Sequence, residues 1–81
     1  MNIKILGPGC ANCIKLERLV REAVAELGLE ASIDKVTDYP SIMSYGIMRT
    51  PGLVVDGEVK VSGRVPDKSE IVTILTTVLA R

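Results

Sequence analysis

Apolar and polar residues recur with two different periods along this chain, and the periods predict its elements. Residues 2–6 carry Ile3, Ile5 and Leu6 and are typical of a buried strand. From Ala11 to Gly28 the apolar positions recur every three or four residues, which predicts an amphipathic helix that ends at Gly28. Its apolar positions are Cys13, Leu16, Val20, Ala23, Val24 and Leu27.

A second strand and a short helix are predicted next. Residues 31–36 are half polar, and the passage strand–helix–strand over about 35 residues indicates a parallel βαβ unit with a right-handed crossover. Thr37 or Asp38 is suited to cap a short helix that runs to about Tyr45 and ends at Gly46.

The last third of the chain predicts a hairpin followed by a helix. Two β-branched runs, 52–55 and 58–62, flank Asp56-Gly57, a pair that suits the type I′ turn between antiparallel strands. Asp67 followed by Glu70 resembles a capping box and predicts the start of the last helix. The apolar face of that helix is Ile71, Val72, Ile74, Leu75, Val78 and Leu79.

The predicted order βαβαββα favours an α/β fold in which a four-stranded mixed sheet is flanked by helices on both faces. With 81 residues, a single domain spanning 1–81 is expected. Ten basic residues balance ten acidic ones, so neither a nucleic acid nor an anionic membrane is an expected partner. No apolar run approaches the roughly 20 residues of a membrane span, so a cytoplasmic location is expected. The chain is also expected to be a monomer.

The candidate chemistry lies in the two cysteines, Cys10 and Cys13, where the first strand turns into the first helix. Because the two cysteines are only three positions apart, a disulfide between them would close a very short loop and add little stability to the fold. The first N–H groups of a helix have no partner within the helix and stabilise a thiolate, which is both a nucleophile and a metal ligand. The residues by themselves leave two chemistries open, disulfide exchange and soft-metal binding.

Three segments together resemble the small glutaredoxin-like thioredoxin family of archaea and bacteria, sometimes called redox-active disulfide proteins. They are Gly9-Cys10-Ala11-Asn12-Cys13, Thr50-Pro51-Gly52-Leu53-Val54-Val55-Asp56-Gly57 and Ser62-Gly63-Arg64-Val65. The resemblance covers essentially the whole chain and implies a thioredoxin-like fold. It also implies a thiol–disulfide oxidoreductase that reduces protein disulfides and takes electrons from a donor such as a thioredoxin reductase.

The resemblance assigns roles to particular residues. Cys10 matches the exposed attacking cysteine of the family and Cys13 its buried resolving cysteine, so that the only redox group implied is the Cys10–Cys13 disulfide, with no added cofactor or metal. Pro51 matches the cis-proline beside the cysteine pair, which leaves the backbone of Thr50 free to pair with a substrate strand. Apart from the resemblance, the position of Arg49 just before Thr50 leaves two roles open: contact with an acidic group of a partner or of glutathione, or a solvated surface position.

Two other functions compete with this interpretation. A copper-chaperone domain also carries Cys-X-X-Cys after its first strand, but it needs the order βαββαβ and a methionine where this chain has Pro8. A non-catalytic thioredoxin-like module would instead bind a partner at the edge formed by Thr50 and Pro51. The first alternative predicts Cu(I) binding in preference to a disulfide, and the second predicts that Cys10→Ser leaves partner binding intact.

Overall fold

The computed structural model describes residues 1–80 and contains the seven elements in the predicted order. They are β1 (Asn2–Leu6), α1 (Ala11–Leu27), β2 (Ser32–Val36), α2 (Tyr39–Met43), β3 (Gly52–Val55), β4 (Glu58–Ser62) and α3 (Lys68–Leu79). The helix α2 is shorter than predicted, because after Met43 the chain continues in tighter turns. In these turns the N–H groups of Tyr45 and Gly46 donate to the carbonyls of Ile42 and Met43.

The four strands form one mixed sheet in the order β2-β1-β3-β4. β1 pairs in parallel with β2, whereas the β1–β3 and β3–β4 pairs are antiparallel. The β3–β4 hairpin turns through Asp56 and Gly57, which have φ values of 49° and 83°. Both are positive, as a type I′ turn requires, so the hairpin prediction is confirmed.

Apolar side chains pack on both faces of the sheet. Ile3 and Ile5 of β1 lie in the larger core, where α1 contributes Leu16 and α3 contributes Leu75. Leu6 lies in a second cluster beneath α2 with Ile42, Ile47 and Val54. Successive residues of a strand point to opposite faces, so β1 serves both cores. The prediction of helices on both faces is confirmed.

Local capping contacts explain where the helices begin and end. Gly28 ends α1 in the left-handed conformation at φ 64°, and the N–H of Leu29 donates to the carbonyl of Val24 at 3.1 Å. Asp38 and Asp67 cap α2 and α3 by accepting backbone N–H groups three residues on, at 3.1 and 2.8 Å. Within residues 1–80 no helix is long and apolar enough to cross a membrane.

Candidate active site

Cys10 lies at the N-cap of α1 and is disulfide-bonded to Cys13. Its backbone is extended (φ −66°, ψ 166°), and its carbonyl accepts the first N–H bond of the helix from Ile14 at 3.0 Å. The Sγ of Cys10 accepts the N–H of Cys13 at 3.2 Å, in the position that a serine or aspartate oxygen normally occupies at a helix start. The helix end therefore directs an N–H group and its positive partial charge at this sulfur, which favours a thiolate.

The two sulfur-bearing residues differ in exposure. Cys10 is exposed, together with Ala11 and Asn12, whereas Cys13 is only 5% exposed and lies on the inward side of α1 with Leu16 and Val20. A bulky disulfide substrate can therefore approach Cys10 but not Cys13. The Cys10 sulfur is therefore accessible to a partner protein, whereas the Cys13 sulfur is accessible only to Cys10.

The segment Thr50-Pro51 lies next to the buried cysteine. The Thr50–Pro51 peptide bond is cis, Pro51 is fully buried, and its carbonyl accepts the N–H of Gly63 at 2.9 Å. Thr50 is half-buried, and among residues 1–80 no hydrogen bond engages its backbone N–H or carbonyl. An ideal Cβ built on Gly7 would lie 3.8 Å from the Cβ of Thr50 and would overlap the Sγ of Cys13, so the three residues converge.

A groove of about 520 Å³ continues from Thr50 toward α2. Its charged lining residue is Arg49, and Met48 beside it is 98% exposed. Within the described part of the chain, Arg49 forms no salt bridge. The lining is Tyr39, Ile42, Met43, Ile47, Met48, Arg49, Thr50 and Gly63. The groove therefore combines apolar walls with one unpaired cation.

The side chains whose pKa values depart from their ordinary values lie at helix caps and in surface ion pairs, not in this groove. The Ser41 hydroxyl and N–H lower the pKa of Asp38, and the Glu70 N–H and Ser69 hydroxyl lower the pKa of Asp67. On the outer side of α1, a hydrogen bond from Arg21 lowers the pKa of Glu17. These groups support the fold and take no direct part at the cysteines.

The predicted site residues lie at two adjoining places in the fold. The structure brings Cys10, Cys13, Thr50 and Pro51 together, and it places Arg49 in the adjoining groove. The sequence analysis gave Gly7 no role at the site, yet Gly7 lies beside Cys13. No local signal identifies that role, because the contact joins the end of β1 to the first turn of α1 in three dimensions.

The order of the elements argues against the copper-chaperone alternative, whereas two thiolates by themselves suffice as ligands for Cu(I). Among residues 1–80 no three cysteine, histidine, aspartate or glutamate side chains come together as ligands. The observed order βαβαββα also differs from the βαββαβ order that the copper-chaperone alternative requires. The two sulfurs are instead within bonding reach of each other, with their Cα atoms 5.0 Å apart.

Comparisons with known proteins agree with this arrangement. Residues 1–76 match the family model described as a thioredoxin domain. The chain is 50% identical over 76 residues to a thioredoxin of Methanothermobacter thermautotrophicus, covering 94% of this chain and 99% of that protein. It is 39% identical over 69 residues to a thioredoxin of Methanocaldococcus jannaschii, covering 85% and 79% of the two chains.

A solved structure extends the comparison to the fold. Thioredoxin 1 from Thermosipho africanus superposes with a TM-score of 0.65, covering 99% of this chain and 96% of that one. The two sequences are 15% identical, so this likeness concerns the fold alone.

Proposed function

Because this chain belongs to the thioredoxin family and is a thiol–disulfide oxidoreductase, we propose that it reduces disulfides in proteins, with Cys10 attacking and Cys13 resolving. The family as a whole acts on protein disulfides and takes electrons from reductase partners. The observation that carries the proposal is the unequal exposure of the two sulfurs at one helix start, where the exposed Cys10 accepts an N–H bond and Cys13 is 5% exposed.

The reaction proceeds in two exchanges. The Cys10 thiolate attacks one sulfur of the substrate disulfide; the substrate S–S bond breaks, a Cys10–substrate disulfide forms, and the departing sulfur takes a proton. Cys13 then loses its proton and attacks the Cys10 sulfur, which releases the second substrate thiol and leaves the Cys10–Cys13 disulfide. The substrate gains two electrons, and a reductase-type donor returns them to the chain. No cofactor besides the cysteine pair is required.

Substrate binding in this proposal uses the backbone of Thr50 and the adjoining groove. The unengaged N–H and carbonyl of Thr50 are available to pair with an extended substrate segment, while buried Pro51 holds that position. Arg49 then binds an acidic side chain of the substrate, and Met48 contacts an apolar one. Among the described residues Arg49 forms no salt bridge, and Met48 is exposed; both observations support this assignment.

Trapping of substrates tests the proposal. The Cys13→Ser protein, reduced and exposed to a cell lysate, should accumulate mixed disulfides through Cys10 that a reductant releases. Cys10→Ser is the matched control, because it keeps one thiol but removes the accessible one. Trapping by neither variant, or equally by both, would refute the assigned roles. Intact partner binding by Cys10→Ser, with no trapped species from Cys13→Ser, would favour the non-catalytic interaction module.

We also propose that the chain works in the cytoplasm as a monomeric single domain. A reducing compartment returns an exchange disulfide to the dithiol, and a pair that closes so short a loop has little structural use. Sedimentation of the reduced and oxidised forms tests the monomer. A stable dimer in either form would contradict it.

A further inference from the structure

We propose that Gly7 is a positioning residue of the redox pair: by lacking a side chain, it leaves the space in which the Cys13 sulfur meets Cys10. Gly7 is buried at the end of β1, where its N–H donates to the carbonyl of Val36 at 2.9 Å. An ideal Cβ at this position would overlap the Sγ of Cys13 and lie 3.2 Å from its Cβ. The sulfur thus occupies the volume that any other residue would fill.

Backbone conformation does not explain a glycine here. Gly9, two residues on, has a φ of 99° that side-chain-bearing residues rarely adopt, but Gly7 is not among the positive-φ glycines. Alanine could therefore adopt the backbone of Gly7, and the conflict would be with the neighbouring sulfur. Residue 7 must therefore be glycine because a side chain would occupy the space of the Cys13 sulfur.

While it is bonded to Cys10, the Cys13 sulfur has little freedom to move away from an added methyl group. Cys13 lies in the first turn of α1, and Leu16 and Val20 on the same side of the helix are fully buried in the larger core. Moving the Cys13 backbone would displace these residues from a close-packed environment. On another side, Thr50 lies 3.8 Å from the ideal Cβ of Gly7, which further restricts the available space.

The constraint differs between the two redox states. In the disulfide, the Cys13 sulfur is held at the position bonded to Cys10. In the dithiol that bond is absent, and the Cys13 side chain can rotate about its Cα–Cβ bond to another staggered position. A methyl group at residue 7 therefore disfavours the disulfide more than the dithiol. It also hinders the resolving step, because Cys13 must reach the same position to attack the mixed disulfide.

The test is the thiol–disulfide equilibrium of Gly7→Ala against a dithiol buffer, read by alkylation and mass. We expect the equilibrium to move at least tenfold toward the dithiol, which corresponds to about 30 mV for a two-electron couple. The mixed disulfide with a model substrate should also persist longer. An equilibrium within twofold of that of the unaltered protein would overturn the proposal.

Gly52→Ala is the matched control. Gly52 is also buried and has no positive φ, but its ideal Cβ meets the side-chain ends of Ile47 at 2.8 Å and Leu6 at 3.3 Å instead of a sulfur. Gly52→Ala should lower the stability of the dithiol and disulfide forms equally and leave the thiol–disulfide equilibrium unchanged. An equal shift in both variants would show general disruption and refute a specific role for Gly7.

A further variant covers the case in which Gly7→Ala does not fold. Adding Cys13→Ala removes the sulfur that the new methyl group would overlap, so Gly7→Ala/Cys13→Ala should fold, with circular dichroism like that of Cys13→Ala alone. If the double variant also fails to fold, the space at Gly7 serves the fold rather than the sulfur, and the proposal is wrong.

Discussion

The side chain of Arg49 lies directly against Gly63. An ideal Cβ on Gly63 would be 3.1 Å from the Cβ and 3.3 Å from the Cδ of Arg49, and Gly63 has a φ of 77°. The N–H of Gly63 also holds the carbonyl of Pro51 at 2.9 Å. Gly63, in the connection between β4 and α3, thereby contacts both Pro51 beside the cysteines and Arg49 in the groove.

Gly63→Ala should displace Arg49 and strain the backbone at a left-handed position. We expect a stability loss of about 1–2 kcal/mol and a weaker preference for substrates with acidic groups. Denaturant unfolding and a comparison of acidic with neutral disulfide peptides measure the two effects. Gly57→Ala is the control, because Gly57 has a similar φ of 83° but nothing within 4 Å of its ideal Cβ. A changed substrate preference in Gly57→Ala would contradict a specific role for Gly63.

Arg49→Glu should reverse the charge preference of the groove. Reduction of a disulfide peptide with an acidic residue beside its cysteine should slow about tenfold at low salt, whereas a basic counterpart should react faster. The difference should shrink as salt is added. Arg18→Glu makes the same change on the exposed face of α1, where Arg18 lies 3.7 Å from Glu22, and should leave the preference unaltered. An unchanged preference in Arg49→Glu would exclude the assigned contact.

The exposed methionines should contribute to substrate affinity but not to stability. Met43 and Met48 are 66% and 98% exposed, so replacing both with serine should change the free energy of unfolding by less than about 0.5 kcal/mol. KM for an apolar-flanked disulfide peptide should rise severalfold while kcat stays similar. Leu79→Ser, at a 53% exposed position of α3, is the control for lost surface hydrophobicity. Unchanged KM in the methionine variant would remove Met43 and Met48 from the binding surface.

Acid should destabilise the protein through its helix caps. The pKa of Asp67 is lowered from its ordinary 3.8 because the ionised carboxylate accepts the Glu70 N–H and the Ser69 hydroxyl. A lowered pKa in the folded state means that the ionised cap adds stability above about pH 3.8 and that this contribution is lost as the pH falls further. The melting temperature of the oxidised protein should therefore fall between about pH 5 and pH 2.

Asp67→Asn separates the charge of the cap from its hydrogen bond. Asparagine also caps helices well, so stability at pH 7 should change little, but the acid decline should become shallower. Asp34→Asn, at an exposed position of β2, should leave the decline as steep as in the unaltered protein. An equally steep decline in Asp67→Asn would show that other carboxylates, such as the Asp38 cap of α2, govern the acid response.

The sequence by itself determined the elements that depend on neighbouring residues. The helix α1 follows from apolar residues three and four apart, its end from Gly28, the start of α3 from Asp67, and the hairpin from Asp56-Gly57. Each of these features depends on residues about three or four positions apart, whose side-chain periodicity and permitted backbone angles determine the local structure. The place of Cys10 at a helix start follows from the same local rules, and the resemblance to the thioredoxin family supplied the expected chemistry.

Only the tertiary structure decided which distant residues meet. The unequal exposure of Cys10 and Cys13 depends on how α1 packs on the sheet, and the contact of Arg49 with Gly63 joins two loops. Gly7 shows the difference most clearly: in the sequence it is one of two glycines that flank Pro8, yet in the fold it leaves room for a sulfur six residues further along. Such contacts depend on shape and volume across the whole core, which no local pattern of residues records.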